Sequence, residues 1–173
     1  MEEYIAAELI VKGILEKPTQ RWADLGAGQG AFTRALASLL GPQSTIYAVD
    51  TNKQALEKLS FNSDITLKKI VGDFTDEEVI PSLLDGILLA NAIHYVADKR
   101  ELFNILLRKL DYHGRIIVIE YDLEKPNPWV PYPMPLNSMV ELTRLLGLTS
   151  PKEIGRIPSR LNSAEIYSAL IVK

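Results

Sequence analysis

Three acidic residues stand where chemistry could be done, and each closes a short apolar run. Asp24 opens the series Asp24-Leu25-Gly26-Ala27-Gly28-Gln29-Gly30, Asp50 ends Ile46-Tyr47-Ala48-Val49-Asp50, and Asp73 lies in Gly72-Asp73-Phe74. Glycines tolerate positive φ and let backbone approach a ligand closely. A helix that begins straight after such a loop presents free N–H groups. An acid like Asp50 can accept from two ribose hydroxyls. Asp73 can accept from an exocyclic amine, and Phe74 can pack on a purine face. Taken singly, Asp24 reads equally well as a helix cap, and Asp50 and Asp73 as ordinary strand-end acids. Together they form one acidic line beside a glycine loop.

Such a line requires parallel strands that end side by side. Residues 3–16 carry a helical stripe of Ile5, Leu9, Ile10 and Ile14 that stops before Pro18. Strands are expected at 21–25, 45–49, 65–71, 86–90 and 115–121. Helices are expected at 31–40, 52–61, 75–84 and 98–110. Asp98 with Glu101 makes a capping-box pattern, and Ser138 with Glu141 suggests a second one for a helix at 138–146. Strands alternating with helices imply a parallel sheet covered on both faces. The segments 152–158 and 164–172 follow each other across the turn-rich link 159–163, so they are expected to close the sheet as an antiparallel hairpin. Residues 126–135 hold five of the ten prolines and must form an extended loop.

The chain has 173 residues, 47% hydrophobic and 24% charged, which fits one domain, 1–173, with its own core. A formal net charge of -3 argues against a general nucleic-acid or anionic-membrane binder. With no cysteine, disulfides, thiolate metal sites and cysteine nucleophiles are excluded. The first residues carry acids where a signal peptide needs positive charge, and no apolar run is long enough to span a membrane. A cytoplasmic location is therefore expected.

The ordered series resembles the class I S-adenosylmethionine-dependent methyltransferases. The matching residues are D24-L-G-A-G-Q-G30, the acid ending IYAVD50, GD73F74, and the segment LLANAIHY95 after the fourth strand. The resemblance runs from about residue 19 to 173. It implies a doubly wound α/β fold, with a mostly parallel seven-stranded sheet of order 3-2-1-4-5-7-6 and a C-terminal antiparallel hairpin. It also implies S-adenosyl-L-methionine as cofactor. Asp24 and the loop Gly26, Ala27, Gly28 and Gly30 would surround its methionine part. Asp50, with Thr51 beside it, would take the ribose. Asp73 and Phe74 would hold the adenine, and Asn91 would lie beside the sulfonium.

Two other readings compete. Gly26 to Ala31 also satisfies a relaxed nicotinamide-binding spelling, and Tyr-x-x-x-Lys occurs at Tyr95/Lys99 and Tyr121/Lys125. Neither pair is expected to share a helical face, so an NAD(P)-dependent oxidoreductase ranks second. A non-catalytic cofactor-binding module is the third reading, since fold alone does not fix function.

A small-molecule methyl acceptor with an O or N nucleophile is expected, because no residues remain for a separate recognition domain. Ala92 and Ile93 replace the prolines of the amide and adenine methyltransferase motif. Imidazole suits acid–base work near neutrality, so His94 is a candidate base as well as a candidate packing residue. His113 reads as solvated. Tyr95, Trp129 and Tyr132 are placed at the acceptor pocket, with residues 1–17 as a helix over the site and 122–137 as a proline-rich substrate loop. That loop reads either as a wall of the pocket or as a cover for the last helix. Glu120, Asp122 and Glu124 form an acidic cluster that could face a cation or simply solvent. No metal site is expected, because Asn91 stands where a carboxylate ligand would be wanted.

Overall fold

β-branched and apolar runs form the inner strands, and turn residues separate them. The strands are β1 (Arg21–Leu25), β2 (Thr45–Asp50), β3 (Thr66–Val71), β4 (Leu84–Ala90), β5 (Leu110–Tyr121), β6 (Lys152–Pro158) and β7 (Glu165–Val172). The helices are α1 (Glu3–Ile10), α2 (Ala31–Leu39), α3 (Lys53–Lys58), α4 (Lys99–Lys109) and α5 (Leu136–Leu145). The computed structural model describes residues 1–159 and 164–173, so most of the expected 159–163 link lies outside the described residues.

All seven strands share one sheet of order β3-β2-β1-β4-β5-β7-β6. The pairs among β1 to β5 are parallel, whereas β5–β7 and β6–β7 are antiparallel. This is the sheet that the resemblance implies. Between β1 and β4 the winding reverses, and the crevice outside the strand ends at such a point is where open α/β sheets bind ligands.

Two apolar layers sandwich the sheet. One joins Ile87, Leu89 and Val118 to Phe103, Leu106 and Met139. The other joins Trp22, Ile117 and Ile154 to Leu9, Phe32 and Leu36. Gly86 is needed where the buried Trp22 ring crosses β4, since a Cβ there would come within 2.4 Å of the indole.

Several boundaries differ from the sequence expectation. Residues 75–84 form only the 3-10 turn Glu77–Val79, because Pro81 removes a helical donor and β4 begins at Leu84. α1 ends at Ile10 and gives way to the 3-10 turn Val11–Gly13, where a Cβ on Gly13 would stand 2.5 Å from Ile117 Cδ1. α3 is shorter than 52–61 and is capped by Asn52, whose side chain accepts from the Ala55 N–H. Asp98 caps α4 as expected, accepting from the Glu101 N–H. Ser138 and Glu141 cap nothing, because α5 starts earlier, after Pro135. The first orphan donor of α5, the Leu136 N–H, is taken by Asp122 Oδ1 at 3.0 Å.

Candidate active site

The glycine loop leaves β1 and turns on three residues in the left-handed region, Gly26 (φ 79°), Gly28 (52°) and Gly30 (80°). The loop is pinned to β2, with the Gly26 and Ala27 N–H groups donating to Val49 O at 2.9 and 3.0 Å. A Cβ on Gly26 would meet Ala92 Cβ at 2.7 Å, and one on Gly30 would meet Leu59 Cδ1 at 2.0 Å, so both glycines permit close packing. At Gly28 nothing lies within 4 Å of that point, and the space is open.

Asp50 holds the loop from the next strand. Its Oδ2 accepts from the Gly28 N–H and its Oδ1 from the Asn52 N–H, each at 2.7 Å. Asp73 uses Oδ1 to accept from the Thr75 N–H and hydroxyl. Asp24 is buried beneath the loop and accepts from the Thr33 hydroxyl at 2.6 Å. Burial pushes its carboxyl up to about 6, the Thr33 hydroxyl partly opposes the rise, and the Asp50 charge adds to it.

Three cavities along this edge share Asn91. One of about 320 Å³ is lined by Gly26, Asp50, Thr51, Asp73, Phe74 and Asn91, among others. A second, of about 260 Å³, is reached by Asp24, Gly26, Ala27 and Asn91, with Met1 at its rim. The third, about 550 Å³, is walled by His94, Tyr121, Pro128 and Trp129, and shares Asn91 and Tyr95 with the first. Asn91 thus stands where all three meet. It has φ 51°, its N–H donates to Ile119 O, and its side-chain Oδ1 is buried without a partner. Gly30 lines none of these cavities; it starts α2.

His94 lies on the 3-10 turn Ile93–Tyr95 after β4 and is 3% exposed. Its Nδ1 is 2.8 and 3.0 Å from the two carboxylate oxygens of Glu120, which is fully buried at the end of β5. A carboxylate only accepts, so the imidazole proton sits on Nδ1. Glu120 also accepts from the His94 and Tyr121 N–H groups. The acidic cluster of Glu120, Asp122 and Glu124 is therefore not one site. Glu120 turns inward to His94, Asp122 pairs with Arg156 at 2.7 Å, and Glu124 is exposed. Among the described residues, no three His, Asp or Glu side chains come together as a metal-holding group.

The proline-rich loop contributes Asn127, Pro128, Trp129 and Val130 to the third cavity. Asn127 Oδ1 accepts from the Trp129 and Val130 N–H groups, which fixes the turn. Trp129 is 71% exposed at the cavity wall. Tyr132 is not among the lining residues. Its ring lies 5.7 Å from Lys99 Nζ, and its N–H donates to His94 O. The sequence reading missed Glu120 as a histidine partner, and missed Tyr121 and Asn127. Ile116 to Glu120 are all buried, so no alternation along β5 singled out Glu120. His113 lies on β5 and is exposed. Tyr95 ends a turn and Tyr121 ends a strand, so neither Tyr/Lys pair shares a helical face.

Over residues 16–156 the sequence matches the family described as a methyltransferase domain, and the chain belongs to that family. The family takes its methyl group from S-adenosylmethionine. Among curated proteins the chain is similar to the ubiquinone/menaquinone biosynthesis C-methyltransferase UbiE of Ectopseudomonas mendocina. It is 28% identical over 113 residues, covering 61% of this chain and 43% of that one. The chain therefore spans about two-fifths of the length of that relative. Its fold is shared with the YcgJ protein of Bacillus subtilis (TM-score 0.75, 15% identity, 98% of each chain). It is also shared with Burkholderia thailandensis 1,6-didemethyltoxoflavin-N1-methyltransferase, solved with 1,6-didemethyltoxoflavin and S-adenosylhomocysteine (TM-score 0.73, 18% identity, 99% of this chain and 77% of that one). Among the described residues, no helix is long and apolar enough to cross a membrane.

Proposed function

We propose that the chain transfers a methyl group from S-adenosylmethionine to a small-molecule acceptor, with cofactor and acceptor held in neighbouring cavities. The observation that supports this reading is that the cavity bearing Asp50 and Asp73 shares Asn91 and Tyr95 as lining residues with the one walled by His94 and Trp129. The bound sulfonium supplies an electrophilic methyl group, which needs an in-line nucleophile and a dry approach.

The residues present fit that cofactor. The open space over Gly28 and the free lone pairs of Asp50 suit a ribose; Asp50 already accepts one N–H on each oxygen and can accept more. Asp73 keeps its second oxygen for an exocyclic amine, with Phe74 beside it in the same cavity. Asp24 lies at the cavity next to Gly26 and Ala27 and suits the methionine ammonium. The orphaned Asn91 Oδ1 marks the junction as a place where a polar group is wanted. Trp129 walls the acceptor side; Tyr132 steadies the turn that carries His94 rather than touching the acceptor.

Calorimetry with S-adenosylhomocysteine and with NADH tests the reading. The demethylated cofactor is expected to bind and NADH is not. Asp50→Ala should weaken binding by about 1.5–3 kcal/mol, the range for hydrogen bonds to a charged group. Binding of NADH without S-adenosylhomocysteine would overturn the proposal.

A further inference from the structure

We infer that the acceptor is an uncharged planar aromatic compound bearing an ionisable hydroxyl, and that the His94–Glu120 pair takes the hydroxyl proton. This rests on the methyltransferase reading and goes on to name its substrate class.

The larger cavity is poor in charge. Among the described residues its lining holds no lysine, arginine or exposed carboxylate. An anionic acceptor would find no counter-ion among them. A cationic acceptor would find aromatic faces, but Glu120, the acid that partners His94, is fully buried. Both its oxygens already accept from His94 Nδ1, and they also take the His94 and Tyr121 N–H groups. The cavity offers instead the rings of Tyr95, Tyr121 and Trp129, which suit a flat apolar partner.

Among these rings His94 supplies the polar group. Its Nδ1–H is committed to Glu120, so Nε2 carries a lone pair, and His94 lines the cavity. Other groups that face the pair cannot do the same work. Burial and the Glu120 charge push the Tyr121 hydroxyl up, away from ionisation. Lys99 Nζ donates to Val96 O and Tyr132 O. The Tyr167 hydroxyl, which lies within the field of Glu120, donates to Met134 O. The Tyr95 ring lies tilted against that of His94, 4.3 Å between centroids, and is largely exposed.

The step balances. The acceptor O–H bond breaks and its proton moves to His94 Nε2, leaving an imidazolium beside the Glu120 carboxylate. The oxygen's electron pair forms the new bond to the methyl carbon as the carbon–sulfur bond breaks, its electrons remaining on sulfur. The products are an aryl methyl ether and a neutral thioether, and the proton on His94 leaves to solvent. Glu120 is a positioning residue: it fixes which imidazole nitrogen carries the proton.

The test uses the whole chain saturated with S-adenosylhomocysteine and four probes of similar size: 4-nitrophenol, nitrobenzene, 4-nitrobenzoate and benzyltrimethylammonium. 4-Nitrophenol is expected to bind about tenfold or more tighter than the other three, as one hydrogen bond to a charged or charging group allows. Its absorbance should shift towards the phenolate form on binding. His94→Ala should abolish both the preference and the shift. Glu120→Gln should reduce the shift while S-adenosylhomocysteine still binds, and Glu120→Asp should restore part of it. A purely structural role for Glu120 would not move the probe's spectrum in a folded, cofactor-binding variant. Should these variants fail to fold, the ranking of probes by the unaltered protein decides. Equal binding of nitrobenzene, or tighter binding of the cation or the anion, would overturn the inference. If S-adenosylhomocysteine itself does not bind, the methyltransferase reading fails and this inference falls with it.

Discussion

Asp24 is a burden on the fold at neutral pH. Its carboxyl is buried, and burial raises it from an ordinary 3.8 to about 6. The folded state therefore holds a proton that the unfolded chain releases between these values. The stability this gives is full below about pH 4 and is lost as pH rises through about 6. At neutral pH the buried charge costs up to about 3 kcal/mol, two pH units at 1.36 kcal/mol each. Asp24→Asn should accordingly raise the melting temperature at pH 7 and have no such effect near pH 4. The Thr33 hydroxyl, which donates to Asp24 Oδ2, keeps an amide oxygen to donate to. If a cofactor ammonium sits against the ionised carboxylate, the same substitution should weaken S-adenosylhomocysteine. In the unaltered protein, affinity should rise with pH through 6. Melting curves and calorimetry across that range check both. An asparagine variant that is both less stable and tighter binding would contradict this account. A destabilising acid kept at a strand end is what a charged ligand site requires, and packing alone does not call for it.

At the scale of elements, the loop 122–135 shows how a turn can serve a site. Asn127 closes it by accepting two N–H groups, and Tyr132 ties it to the turn that carries His94. Asn127→Ala frees the Trp129 N–H and leaves the Val130 N–H only its bond to the Asn127 carbonyl, and Trp129→Ala removes the ring from the cavity wall. Both should raise the acceptor KM several-fold and leave S-adenosylhomocysteine affinity unchanged; for Asn127 the loss is about 1–2 kcal/mol of turn stability. Steady-state kinetics with the cofactor saturated would show it, and equal KM values for variants and parent would count against the loop as pocket wall. The same loop shows where the sequence was legible. Its prolines declared an extended segment, and the β-branched run Ile116–Ile119 declared an inner strand. The ends of elements were harder to read. Pro81 outweighed the acidic helix start at residues 75–78, and α5 starts two residues before Ser138, with Asp122, distant in sequence, taking the Leu136 N–H. Asp50 and Asp73 could be read because strand ends are local. The partner of His94 could not, because β5 brings Glu120 to it from 26 residues away.

Across the whole molecule the sheet divides the labour. The half containing β1, β2 and β3 carries the acids proposed for the cofactor, while the end of β5 and the loop after it supply Tyr121, Pro128 and Trp129 to the proposed acceptor cavity. The hairpin is fastened by Arg156, whose guanidinium reaches Asp122 at 2.7 Å, Glu165 at 3.0 Å and Glu153 at 2.8 Å. Asp122 in turn accepts the first N–H of α5 and begins the proline-rich loop. One cation thus joins β6, β7, the end of β5 and the start of α5. Networks of this kind, with fork-shaped contacts, contribute more than isolated surface pairs. Arg156→Met keeps the aliphatic packing and removes the charge, and should cost about 1–2 kcal/mol, less at high salt. Glu153 is held below the usual carboxylate range by its hydrogen bonds from Arg156, so its share is present above that range and fades as pH falls through its lowered value. The consequence should be one-sided. Hydrogen exchange should quicken in 122–137 and 152–158, and acceptor-probe binding should weaken. S-adenosylhomocysteine affinity should stay within twofold of the parent, because Asp24, Asp50 and Asp73 lie beyond β4, outside the network. A uniform rise in exchange across all seven strands, or a matching loss of cofactor affinity, would mean that the sheet opens as one unit rather than in two halves.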